Sequence, residues 1–270
     1  MEESVPTKEE KRKVTEKKRI EIKQHVVEVV SDSGEGAQKC GQTFGTVCAK
    51  MGNSIWTVEI IPAEIQPPPR NIAGASGNRI RIGSFYISNG GDDADLVVAF
   101  NEQVLLGRVR SKDLKPGCII LLENKWRHHQ DPEIVETYTK TYDQLVEEGY
   151  NIYEVPMEEE CLKYVSDPSR GKNMFALGLL CNIYDRDPQM ARDEIDFTFR
   201  KKGKEVVENN IKLLDAGYDW AESNLDFQFD IASAGITEAQ IVTNGNVAVA
   251  LGIMASGMEV CAMYPITPAT

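Results

Sequence analysis

Apolar residues in this chain gather into short runs separated by amphipathic stretches, the pattern of strands alternating with helices. The first run, Val26–Val30, precedes the polar loop Ser31-Asp32-Ser33-Gly34-Glu35-Gly36. A helix is expected next over Ala37–Met51, where Phe44, Val47, Cys48 and Met51 recur at helical spacing. Further strands are expected at Ile55–Ile61, Arg79–Ser88, Leu96–Phe100, Cys118–Leu122 and Asn151–Val155. Helical stretches are expected over about 132–149 and 172–223, the second broken at Pro188 and carrying a stripe of Val206, Val207, Ile211 and Leu214. This alternation predicts an α/β fold with a doubly wound, mainly parallel sheet, whose ligand edge lies beyond the strand ends.

Four regions follow from the pattern. Residues 1–23 read as a charged tail rich in Lys, Arg and Glu, and 24–200 as the α/β domain. Residues 201–235 read as a helical linker that turns irregular from about 224. Residues 236–270 begin a second α/β domain, helix then strand, which the chain end interrupts.

Composition narrows the functions open to such a fold. The 41% apolar and 27% charged content is that of a globular protein, and the net charge of -12 disfavours nonspecific nucleic-acid binding. The six cysteines, Cys40, Cys48, Cys118, Cys161, Cys181 and Cys261, stand singly with no C-x-x-C. That spacing argues against a zinc site or an iron–sulfur cluster held by this chain and favours a reduced, cytoplasmic setting. The start lacks an apolar signal segment. Val247–Ile266 is about long enough to cross a membrane, but Gly252, Gly257, Glu259 and Pro265 interrupt it, so a buried helix and strand are expected and no membrane partner.

Two places carry candidate chemistry. Ser33-Gly34-Glu35-Gly36 occupies the strand-to-helix position of a phosphate-binding turn. It satisfies neither familiar fingerprint: Lys39 stands where a dinucleotide motif needs glycine, and Gln42 stands where a P-loop needs lysine. A generic structural turn therefore stays open beside an anion site, for which Arg70, Arg79 and Arg81 are the basic candidates. The second place is Tyr264-Pro265-Ile266-Thr267-Pro268. Its prolines stiffen the loop around one hydroxyl, and Thr267-Pro268 reads as an N-cap and first helical residue, a setting that favours an anion.

The strand–turn–helix at 26–51 and the helical tail around Lys201–Asn210 resemble the gamma domain of 2-oxoacid:ferredoxin oxidoreductases. Gly245–Gly252 and Tyr264–Pro268 resemble the opening of the alpha subunit of the same enzymes, and a gamma domain fused ahead of an alpha domain is the arrangement of the 2-oxoglutarate type. Where the common gamma pattern has Arg-Gly-Gly, this chain has Gln66-Pro67-Pro68-Pro69-Arg70. The resemblance implies oxidative decarboxylation of a 2-oxo acid, foremost 2-oxoglutarate, to an acyl-CoA with electrons passed to ferredoxin. The reaction is reversible and so suits CO2 fixation, as in a reductive TCA cycle. It further implies a hetero-oligomer in which a beta subunit holds most of the thiamine diphosphate contacts, its Mg2+ and the [4Fe-4S] cluster. Thr267 would contact the substrate, with Tyr264, Pro265, Ile266 and Pro268 shaping the loop. Ser33, Gly34, Glu35 and Gly36 would neighbour coenzyme A, with Arg70 or Arg79 as charge partners. No catalytic set is complete in the chain, which alone is expected to be inactive. Pyruvate or a branched 2-oxo acid is the alternative substrate within this class. A noncatalytic CoA- or nucleotide-binding module, or a structural subunit, is the alternative outside it.

Overall fold

The nine-residue strand β2 (Gln24–Asp32) is buried on both sides, and the first unit is built outward from it. Val27 and Val29 belong to one apolar cluster, Val26 and Val30 to another, as expected for a central strand covered on both faces. The computed structural model describes residues 17–62, 68–262 and 264, and the chain divides into two units, 1–235 and 236–270.

In the first unit a six-stranded sheet has the order β3-β4-β2-β5-β6-β7, with β3 at Ser54–Ile60, β4 at Ala75–Gly83, β5 at Ala94–Ala99, β6 at Leu114–Glu123 and β7 at Asn151–Val155. β2, β5, β6 and β7 run parallel, whereas β4 runs antiparallel to both β2 and β3. The sheet is therefore mixed. The expected mainly parallel course holds for β2, β5, β6 and β7 and reverses at β4, where the connections hold no α-helix: β3 to β4 carries only a short 3-10 turn (Ile72–Gly74) among its described residues, and β4 to β5 is a loop. Glu28 on β2 needs partners because it is fully buried, and β4 and α2 (Glu102–Arg110) supply them. Arg79 Nε donates to Glu28 Oε1 at 2.7 Å and Arg108 donates to both carboxylate oxygens at 2.7 and 2.8 Å.

One face of the sheet carries α1 (Ala37–Lys50), α4 (Met157–Cys161), α5 (Lys172–Ile183), α6 (Pro188–Phe199) and α7 (Lys204–Asn224). The other carries α2 and α3 (Pro132–Glu147). Helix α5 is buried along almost its whole length, because α7 lies over it. Their backbones approach so closely that a Cβ on Gly178 would sit 2.0 Å from the Leu214 carbonyl, and one on Gly217 2.0 Å from that of Phe175. The expected break at Pro188 is present, as the first residue of α6 after Asp187 caps it.

Three elements stand where the sequence reading placed none. β1 (Lys18–Ile22) lies inside the expected tail and pairs in parallel with β8 (Phe227–Ile231), inside the expected irregular stretch. The alternating residues Ile20 and Ile22 pack on the core with Phe227, Phe229 and Ile231, so two short segments remote in sequence become strands only together. α2 was not anticipated, since its nine residues give a weak periodic signal. Its start is nonetheless explicit: Asn101 Oδ1 accepts from the amides of Gln103 and Val104 at 3.0 Å.

The second unit contains α8 (Gly245–Ala255), capped by Asn244, whose Oδ1 accepts from the Val247 amide at 2.9 Å. No strand follows it among the described residues, and none of its side chains is buried, since its own unit offers no second element to cover it. Among the described residues no helix is long and apolar enough to cross a membrane.

Gly41 of α1 lies against β4, where a Cβ would stand 2.4 Å from Asn78 Cβ. Glycine at this position is thus a packing requirement. Gly41→Ala is expected to destabilise the fold by about 1–3 kcal/mol through overpacking. Denaturant melts measure this, and an unchanged midpoint contradicts it.

Candidate functional site

Helix α1 leaves β2 toward one face of the sheet, and α2 leaves the adjacent β5 toward the other. Such a divergence opens a crevice beyond the strand ends, where α/β proteins take ligands. The turn Ser33–Gly36 stands at this edge. Gly34 has φ +92° and Gly36 φ +85°, left-handed values that suit glycine at the sharp entry to α1. Gly36 occupies the capping position of α1 but brings no side chain, and among the described residues no side chain caps the first amides of the helix. The first turn also holds no acidic residue.

An open cleft of about 350 Å³ lies on these amides, lined by Ser33, Gly34, Gly36, Lys39, Gln42 and Ser76 among others. Glu35 turns away from it. Its Oε1 accepts from the buried Lys172 ammonium and its Oε2 from the Asp32 amide at 3.2 Å. Among the described residues the cleft thus presents uncapped helix amides, one lysine and polar side chains; the Glu35 carboxylate is paired to Lys172, and the Glu59 carboxylate accepts from Gln42 of the lining at 2.9 Å. Unpaired helix amides beside a lysine are groups of the kind that accept phosphate oxygens.

The basic residues named from sequence go elsewhere. The Arg70 amide donates to Asp32 Oδ2 at 2.9 Å, which ties its loop to the end of β2. Its guanidinium pairs with the buried Glu102 and lies 4.7 Å from the centre of the Trp126 ring. Arg79 lies on the opposite face of the sheet from α1, held by Glu28 and by the carbonyls of Gly91 and Asp92. Arg81 bonds Gln24 and Asn89 on that same side. The structure therefore gathers Ser33, Gly34 and Gly36 at the cleft and does not bring Arg79 or Arg81 to them. Lys39 was set aside as a failed glycine, yet it is the cation the cleft presents. Lys172 carried no sequence signal, because 137 positions separate it from Glu35.

Of the second candidate, Tyr264 is exposed, while Pro265, Ile266, Thr267 and Pro268 lie outside the described residues. Among the described residues no three His, Cys, Asp or Glu side chains gather as a metal site. Cys40, Cys48, Cys118, Cys161 and Cys181 are buried, and burial pushes their thiols upward, to about 12 for Cys48 and Cys161. Thiols held protonated in an apolar core do not fit cluster ligation.

Residues 27–220 match the family described as pyruvate ferredoxin/flavodoxin oxidoreductase. The chain belongs to that family. It is 30% identical over 260 residues to the 2-oxoglutarate oxidoreductase subunit KorA of Mycobacterium tuberculosis, covering 91% of this chain and 39% of the relative. With the ketoisovalerate oxidoreductase subunit VorA of Methanothermobacter marburgensis the identity is 27%, over 77% of this chain and 39% of the relative. The chain thus spans about two fifths of the length of the curated relatives it matches. Among solved structures, the 2-oxoglutarate:ferredoxin oxidoreductase of Magnetococcus marinus, with 2-oxoglutarate, coenzyme A and succinyl-CoA bound, superposes with a TM-score of 0.71 at 28% identity. That match covers 92% of this chain and 40% of the other. The pyruvate oxidoreductase subunit PORC of Thermotoga maritima shares the fold at a TM-score of 0.51 and 20% identity, covering 73% of this chain and 97% of its own.

In this member of the family one titrating group stands close behind the turn. Glu123, at the end of β6, is fully buried and accepts from the amides of Lys125 at 3.0 Å and Glu158 at 2.8 Å. Burial outweighs Lys172 and these hydrogen bonds and pushes its carboxyl up to about 7. The folded state therefore keeps a proton that the unfolded chain releases near pH 4.5, so stability is lost as pH rises toward 7. Glu123→Gln keeps the site neutral. Its melting temperature relative to the parent should rise between about pH 4.5 and about pH 7, and a difference independent of pH contradicts this assignment.

Proposed function

We propose that this chain is part of a 2-oxoacid:ferredoxin oxidoreductase and supplies the coenzyme A side of its site through the Ser33–Gly36 turn. In the reaction a 2-oxo acid and coenzyme A give an acyl-CoA, CO2 and a proton, and an electron pair passes to ferredoxin. 2-Oxoglutarate is the substrate we favour, because the relatives with the higher identities are 2-oxoglutarate enzymes. Thiamine diphosphate, when bound in the complex, supplies the carbanion chemistry. A partner subunit holds it with Mg2+ and the iron–sulfur cluster, and the chain alone is inactive. Thr267 of the Tyr264–Pro268 motif contacts the 2-oxo acid.

The observation that carries the reading is the uncapped start of α1 behind two left-handed glycines, in a family whose solved relative holds coenzyme A. This chain's own contribution is binding and orientation. The α1 amides and Lys39 hold phosphate oxygens, and Gln38, Gln42 and Ser76 add polar contacts along the cleft. In a protein of net charge -12 a polyanion needs such a local cation.

Lys39→Ala is expected to raise the KM for coenzyme A in the assembled enzyme about fivefold, the effect of one partly exposed charge, and to leave the 2-oxo acid KM unchanged. An unchanged coenzyme A KM overturns the placement.

A further inference from the structure

The turn at the proposed phosphate site is held from behind by the first two residues of α5. Lys172, whose side chain is 1% exposed, donates to Glu35 Oε1 and lies 5.2 Å from the centre of the Phe100 ring at the end of β5. Glu35 Oε2 closes the turn by accepting from the Asp32 amide, and the Glu35 amide donates to the Asp32 carbonyl at 3.3 Å. Beside it, the Asn173 side chain fills the space that a Cβ on Gly36 would need, 2.6 Å from Nδ2. The geometry at the head of α1 thus depends on a residue remote in sequence.

The charges depend on it too. An unpaired Glu35 would set a negative charge beside the helix start and oppose an incoming phosphate. A lysine this buried is retained only with a charged partner, and its partner here is the turn itself.

We propose that Lys172 is a positioning residue for the coenzyme A phosphates, acting through Glu35 to fix the Ser33–Gly36 turn and to cancel its charge. This rests on the coenzyme A reading above.

The test uses the full chain with Lys172→Met, Glu35→Gln and both together. Calorimetry reads coenzyme A binding, and hydrogen exchange reads residues 32–42 in the free protein. Lys172→Met should weaken coenzyme A binding about tenfold, as for loss of a charge-assisted contact, and should speed exchange over 32–42. The double variant should recover most of the affinity, because the neutral glutamine removes the repulsion and can still accept from the Asp32 amide. A merely structural lysine would give no such recovery. A parent that binds coenzyme A with a Lys172→Met variant that binds equally well overturns the inference and leaves the coenzyme A reading standing. A double variant as weak as Lys172→Met also overturns it. Failure of the parent to bind coenzyme A overturns the reading and the inference together.

Discussion

A buried ammonium at the start of α5 constrains the functional edge of this fold more than any other group. Lys172 sits in the interior, where an unpaired charge is prohibitively costly, and two segments arrange themselves around it. Glu35 brings the turn after β2 and Phe100 the end of β5. The position of α5 is in turn set by α7, whose backbone meets it at Gly178 and Gly217. The packing of two helices is thereby transmitted to the amides at the head of α1.

The other buried carboxylates obey the same rule. Glu28 is shared by Arg79 and Arg108, and Glu102 is met by Arg70. These arginines pin β4, α2 and the loop before β4 to the sheet, so positive charge that looks free in the sequence is spent on internal pairing. Among the described residues, what remains at the cleft is the partial charge of a helix start and the cation Lys39. The proposed anion site draws on these two alone, beside the divergence of α1 and α2.

Much of the fold was legible because its signals are local. β7 falls at its expected bounds, and α1 and α3 end within two residues of theirs. The turn at 33–36 was visible from its glycines. What escaped depends on contacts remote in sequence: β1 and β8 are strands only as a pair, β4 starts at Ala75 because its register with β2 and β3 extends it, and its direction follows from helix-free connections. The site was half legible for the same reason. Glycines and helix starts announce themselves in sequence, whereas which arginine is spent on a buried carboxylate, and which lysine supports the turn, is decided only by folding.

Coenzyme A is proposed to lie on the α1 start with its phosphates at the Ser33–Gly36 turn. Hydrogen-exchange mapping of the chain with and without coenzyme A tests it most directly. Protection is expected to concentrate over residues 32–42 and at the first turn of α5. Protection confined to the opposite face of the sheet, around Arg79 and Arg108, or no protection under saturating coenzyme A, would contradict it.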